Sequence, residues 1–318
     1  MAISGLLRPA MLAASRSPRM ERTVTRMSTT KKLVDRFVAG ASEPNAVTAV
    51  ETLLNSGRYI TVDYLGEDTT DIEQARNTVS HYLTLLSLLR GSDTGSVGSL
   101  EVSLKLSALG QSLPMDGHAI AREHAHQICT AAADAGVLVT IDAEDHTTTD
   151  STLSIVRDLR ADFPSLGTVL QAYLRRTEAD CREFCGPGSR IRLCKGAYRE
   201  PASVAYQSRA EVDQSYLDCL RILMNGDGYP MVATHDPALI EAAGVFATAT
   251  GRKSADFEFQ MLYGIRDAEQ RRLVSTERHV RVYVPYGDQW YGYFMRRLAE
   301  RPANMAFFLR SLRPGSQR

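Results

Sequence analysis

Three observations predict an α/β fold of the (β/α)8 TIM-type barrel class. Eight short β-prone runs follow one another along the chain, and a helical stretch follows each of them. The run at 137–143 is a nearly unbroken series of Val, Leu, Ile and Thr, the pattern of a parallel strand covered on both faces. The repeat fills residues 57–318, long enough for one whole barrel, with a helical segment over 1–56 in front of it. An open doubly wound sheet is the weaker alternative.

The elements are read in order. Residues 59–65 form an apolar strand and 71–90 a helix; 100–109 alternates as a strand, and 116–135 is Ala-rich and helical. The strand at 137–143 leads to a helix over 149–162, capped by the Thr/Asp/Ser cluster before it. A fourth strand at 168–174 precedes a short helix over 178–184. The second half repeats the rhythm, with strands at 190–197, 229–234, 257–263 and 280–286. Helices over 211–224, 237–249, 267–275 and 289–299 follow them.

Composition narrows the function. With 37 Lys and Arg against 37 Asp and Glu the chain is formally neutral, which gives no reason to expect nucleic acid as a partner. No apolar run approaches the roughly 18 residues of a spanning helix. The five cysteines are odd in number and irregular in spacing, so they read as free thiols in a reducing compartment rather than as a disulfide framework or zinc site. Residues 1–40 carry eight Lys and Arg against two acids. This reads as basic amphipathic helices belonging to the fold, able to touch an anionic membrane surface, with a mitochondrial transit peptide as the alternative.

In a barrel of this class the chemistry sits at the C-terminal ends of the strands. Those ends bring Asp63, Lys105, Asp142, Glu144, Gln171, Tyr173, Lys195, Tyr198, Thr234, His235, Gln260, Tyr263, Tyr283 and Tyr286 to one mouth. On the last helix, Tyr293, Arg296 and Arg297 stand at i, i+3 and i+4, placing a phenol and two guanidiniums on one face. Two forks of N–H donors beside aromatic rings suit a small carboxylate, against the plainer reading of a solvated basic helix end. A metal is not expected: His124 and His126 are two apart and face opposite sides of a helix. No Gly-x-Gly-x-x-Gly turn follows a strand, so a dinucleotide would have to be held by the mouth itself, with Gly196 and Ala197 allowing close backbone approach. A Schiff-base lysine at Lys105 or Lys195 is a rival, disfavoured because Asp142 and Glu144 would keep such a lysine charged. A non-catalytic binding protein is a third reading.

Six stretches carry a resemblance: 139–144, 169–174, 192–198, 233–235, 257–264, and 282–287 together with 293–298. In order and spacing they resemble the signature stretches of proline dehydrogenase, monofunctional bacterial type, from about residue 30 onward. The resemblance implies a distorted barrel, non-covalent FAD, oxidation of L-proline to Δ1-pyrroline-5-carboxylate, and electrons passed to a membrane quinone. It implies that Gln171, Arg192, Lys195, Gly196, Ala197, Thr234 and His235 contact FAD, with Arg192 near its reactive edge. Lys105, Arg296 and Arg297 would pair with the proline carboxylate, Asp142 would anchor Lys105 and the ring-amine side, and Leu262, Tyr283 and Tyr293 would wall the ring. The departures are Cys194 for a common Val, Arg199 where some members have an aromatic, and Asp236 for an Asn. They bear on cofactor affinity. The phenol of Tyr283 favours proline over hydroxyproline. At 318 residues the chain is expected to lack the second catalytic domain of bifunctional relatives, so a separate pyrroline-5-carboxylate dehydrogenase would take the product. A cytoplasmic protein, peripheral at the inner membrane face, is the expected location.

Overall fold

The computed structural model describes residues 34–91 and 98–300, with side chains as far as residue 297. The basic segment up to residue 33 therefore lies outside the described residues. Eight parallel strands close into a barrel in sequence order: β1 (Tyr59–Tyr64), β2 (Leu100–Leu104), β3 (Leu138–Ile141), β4 (Gly167–Gln171), β5 (Arg190–Cys194), β6 (Tyr229–Ala233), β7 (Glu258–Leu262) and β8 (Val280–Tyr286). Closure is made by β1 on β8, in register from Tyr59 opposite Arg281 to Tyr64 opposite Tyr286.

Helix α1 (Glu43–Leu54) precedes β1 and packs on β1 and β8. One helix then follows each strand: α2 (Ile72–Leu89), α3 (Gly117–Ala135), α4 (Thr149–Arg160), α5 (Thr177–Phe184), α6 (Arg209–Asn225), α7 (Pro237–Thr250), α8 (Asp267–Ser275) and α9 (Trp290–Glu300). Local sequence sets their ends. Asp71 accepts from Glu73 N–H at the start of α2, and Ser208 with Glu211 forms a reciprocal capping box on α6. At the far end of α6, the Arg252 guanidinium collects the carbonyls of Leu223, Met224, Gly226, Gly228 and Asp256.

The ninth helix leaves the outer ring. Tyr291, Tyr293, Phe294 and Met295 pack with Leu65 and Ile265, just beyond β1 and β7, and with Val34, Phe37 and Val38 of the chain before α1. This helix therefore lies over the open end of the barrel.

Every strand but β8 is shorter than the sequence predicts, and β3 is reduced from 137–143 to Leu138–Ile141. The chain leaves β2 at Leu104 and makes a 3-10 turn over Ser107–Leu109; β4 stops at Gln171 and β5 at Cys194. Leu106, Leu109, Ala172 and Leu174 remain buried beyond those points, so their apolar pattern reports burial rather than strand hydrogen bonding.

The pleat divides the sheet into two chemically distinct faces. Ile60, Val62, Val102, Leu104, Ile141, Ile191, Leu193, Val232, Phe259, Met261, Val280, Val282 and Val284 join the helices in one apolar cluster outside the barrel. The inward positions include Thr61, Asp63, Glu101, Ser103, Arg190, Arg192, Glu258, Gln260, Arg281 and Tyr283, with Lys105 and Asp142 just past the ends of β2 and β3, and with the apolar Val169 and Met231 in register with Arg192. The barrel interior is a polar network.

Candidate active site

At the closed end of the lumen, Arg281 Nε and Nη2 hold Glu258 at 2.7 and 3.0 Å. The same guanidinium donates to the carbonyls of Gly98, Ser99 and Ile60. Glu101 is fully buried, and Thr61 Oγ1 and Arg192 Nη2 both donate to its Oε1, at 2.6 and 2.7 Å. Its Oε2 lies 2.7 Å from Arg190 Nη1. Burial alone would raise the Glu101 pKa, but the charges of Arg190, Arg281 and Arg192 outweigh it and hold the carboxyl far below its usual range.

Arg192 carries the network upward. Its Nε donates to Gln260 Oε1 at 2.5 Å, and its Nη1 to Asp142 Oδ1 at 2.5 Å and Ser103 Oγ at 3.0 Å. Ser103 also donates to Asp142 at 2.7 Å, and the Tyr283 phenol donates to the other Asp142 oxygen at 2.7 Å. Lys105 Nζ stands 2.7 Å from Asp63, 3.3 Å from the Tyr283 hydroxyl and 3.6 Å from Asp142. Asp63, not Asp142, is thus the nearer anchor of this lysine.

Burial pushes Asp63 up to about 6, with Lys105 pulling the other way. Burial would lower the Lys105 pKa, yet Asp63 and Asp142 together keep its ammonium above the ordinary range. A lysine so held stays protonated and is no Schiff-base nucleophile.

Over the mouth, Arg296 on α9 grips Glu67 of the β1–α2 loop through Nη1 at 3.0 Å and Nη2 at 2.5 Å. Arg297 stacks over the Tyr293 ring, its guanidinium carbon 5.1 Å from the centroid. Glu144 is fastened by the N–H and hydroxyl of Ser107, and burial raises it to about 7. The Asp68 N–H donates to the same Ser107 hydroxyl, which ties the loop carrying Glu67 to the β3 end. The Tyr198 phenol lies within electrostatic reach of Glu67, Glu144 and Arg296, and burial lifts it well above its usual range.

The mouth does not gather every residue expected there. Tyr286 shares the outward pleat of Val282 and Val284 and packs on Tyr64, and Tyr263 joins the same outer cluster. Tyr173 turns to the β5–α6 loop, where its hydroxyl donates to Glu200. Gly196 has φ +107, and a Cβ there would sit 2.3 Å from the Tyr173 ring. Glycine at this position thus admits that ring. Lys195 pairs with Asp213 at 2.5 Å and Asp236 at 3.1 Å, while Asp236 also caps α7. Thr234 is buried, its hydroxyl accepting from Asp236 N–H. His235 Nε2 accepts from Leu262 N–H at 3.0 Å, so the ring proton is on Nδ1. Gln171 is buried at the end of β4, and its Oε1 has no hydrogen-bond partner. Ala197, next to Gly196, is half-buried.

Sequence reasoning passed over Glu67, Glu101, Ser103, Arg190, Glu258 and Arg281. For all but Glu67 a signal existed: positions 101, 103 and 105, 190 and 192, 258 and 260, and 281 and 283 share one pleat parity with the residues that were chosen.

A family model described as proline dehydrogenase matches residues 46–310. The chain is similar to "Proline dehydrogenase 2" of Bacillus subtilis (strain 168), 36% identical over 87% of this chain and 89% of that one. It is also similar to "Proline dehydrogenase" of Deinococcus radiodurans, 37% identical over 98% of this chain and 100% of that one. Among solved structures, proline utilization A from Bdellovibrio bacteriovorus, inactivated by N-propargylglycine, superposes with a TM-score of 0.79 at 24% identity over 91% of this chain. A variant of proline utilization A from Bradyrhizobium japonicum superposes with a TM-score of 0.71 at 21% identity. This chain spans 34% and 32% of the length of those two, and the likeness shows the shared barrel.

Proposed function

The chain belongs to the proline dehydrogenase family, and from that premise we propose that it oxidises L-proline to Δ1-pyrroline-5-carboxylate using FAD. The observation that carries this reading is the juxtaposition, at one mouth, of the Arg296–Glu67 fork with the Lys105–Asp63–Tyr283–Asp142 cluster and Arg192 beneath it.

The residues present fit the cofactor. The unpartnered Gln171 Oε1 is an acceptor waiting for an N–H at the rim, such as a flavin ring offers. Arg192, Lys195, Gly196, Ala197, Thr234 and His235 flank it and would hold the rest of the dinucleotide. FAD, when bound, supplies the hydride acceptor.

The protein's own contribution is binding, orientation and proton control. Arg296 already holds one carboxylate in a bidentate fork, and the carboxylate of proline replaces Glu67 there, with Arg297 and Lys105 completing the grip. Leu262, Tyr283 and Tyr293 wall the ring, leaving the carbon next to nitrogen toward the cofactor. Oxidation removes that carbon's hydrogen with its electron pair and one proton from nitrogen, forming the C=N bond. Asp142 faces this nitrogen while Tyr283 and Lys105 fix its position. Asp63, lifted to about 6 by burial, holds the ammonium of Lys105 away from the amine. The phenol of Tyr283 is tied to Asp142, and there it would meet a hydroxyl on the substrate ring, which favours proline.

In this proposal electrons leave to a membrane quinone, and the protein works as a cytoplasmic one peripheral at the inner membrane face. The product passes to a separate pyrroline-5-carboxylate dehydrogenase. The test is the absorbance spectrum of the purified protein: a yellow sample bleached by proline supports the reading, and a colourless sample that binds proline unchanged refutes it.

A further inference from the structure

We propose that Glu101, at the closed end of the barrel, is a positioning residue for the reaction: it sets the plane and the effective charge of Arg192, and through Arg192 the placement of Asp142 and Tyr283. The inference rests on the proline-oxidising reading and adds to it a residue below the site that touches neither substrate nor cofactor.

The geometry is that of a guanidinium pinned from three strands. Gln260 on β7 takes Nε, Asp142 just past β3 and Ser103 on β2 take Nη1, and Glu101 on β2 takes Nη2. Glu101 and Asp142 therefore hold Arg192 from two sides, and neither can move without turning the plane. Because the fork is rigid and planar, a rotation that improves one bond worsens the others. Asp142 in turn accepts from Ser103 and Tyr283, so a turn of Arg192 reaches the residues beside the substrate ring.

The charges point the same way. Among the described residues, the lumen holds four cations, Lys105, Arg190, Arg192 and Arg281, against four carboxylates, Asp63, Glu101, Asp142 and Glu258. Glu101 is shared between Arg192 and Arg190, with Thr61 fixing its nearer oxygen. Without its charge Asp142 is the one carboxylate left on Arg192, the guanidinium is drawn toward the mouth, and less of its positive charge is neutralised. An uncompensated cation next to the cofactor makes the cofactor easier to reduce.

The experiment compares the wild-type holoenzyme with Glu101→Gln and with the double variant Glu101→Gln, Arg190→Gln, which restores the lumen's charge balance but not the partner of Arg192. The expected result in both is a more positive midpoint potential of the bound flavin, and a kcat per bound flavin reduced roughly 10-fold or more. The KM for proline should stay within about twofold, because Arg296 and Arg297 are untouched. The double variant should also melt closer to wild type than the single one. If Glu101 is only a strut, melting temperature and flavin content fall while potential and kcat per flavin stay at wild-type values, and the assignment is overturned. A wild-type protein without flavin overturns the proposed function and this assignment together; a yellow, proline-bleachable wild type with unaltered variants overturns the assignment alone.

Discussion

At the closed end of the lumen, Arg281 divides its guanidinium among Glu258 and three backbone carbonyls, and Glu101 is gripped by Arg190, Arg192 and Thr61. At the open end, Gln171 keeps an acceptor without a partner, Arg296 holds a loop carboxylate it can exchange, and Asp63 and Glu144 are raised by burial to about 6 and about 7. The same chemical groups serve two purposes. At the closed end opposite charges are packed against each other and fix the barrel, even though Glu101 Oε2 and Arg190 Nη1 meet as charges without a hydrogen bond; at the open end an unpartnered acceptor and a loop-held guanidinium stand where a ligand would bind.

The largest effect is expected at the closed end. Arg281→Met strands the buried Glu258 charge, so the unfolding free energy measured by denaturant titration should fall by about 3–5 kcal/mol. A loss under about 1 kcal/mol would mean that the ion pairs of the closed end do not hold the barrel together. Next comes the open end's response to pH. The Glu144 pKa rises on folding from its ordinary 4.5 to about 7, so its contribution to stability is fully present below 4.5 and is lost as pH rises through about 7. Glu144→Gln should remove that slope and gain up to about 3 kcal/mol relative to wild type above neutrality, read from melting curves at a series of pH values. Parallel curves for the two proteins would remove Glu144 from the comparison.

Arg296→Lys keeps the charge and loses the fork, and steady-state kinetics should show the KM for proline raised roughly 10-fold or more with a smaller change in kcat. An unchanged KM sinks the carboxylate clamp. The smallest effect belongs to neither end: Arg157 and Glu183 pair on the exposed surface, and Glu183→Gln, which leaves Arg157 on the Phe184 ring, should cost under about 1 kcal/mol. A larger cost there would show that exposed pairs of this protein rival its lumen.

Much of the architecture was legible because helix and strand periods recur eight times; α8 and β8 fall on their predicted bounds. The differences have separate physical sources. Residues 105–109 and 172–174 are as apolar as the strands before them, yet they bury their side chains in turns at the rim, a distinction hydrophobicity does not encode. Their place at strand ends points Tyr286 and Tyr263 to the mouth, but pleat parity sends them outward. The site residues chosen from the resemblance cluster at the open end. Pleat parity marks the closed-end residues as inward, but it does not say which of them pair: Glu101 meets Arg192 across 91 positions. Glu67 stands in a loop, where no periodicity speaks for it.

The distribution of lumen charge along the chain has a consequence for how this barrel is assembled. The first four strands and their ends bring in Asp63, Glu101, Asp142 and Lys105; the last four bring in Arg190, Arg192, Arg281 and Glu258. One half-barrel is thus an anionic surface and the other a cationic one, each with a surplus of two charges facing inward. Such halves are complementary faces rather than interchangeable duplicates. Made as separate polypeptides, they would select each other over a second copy of themselves.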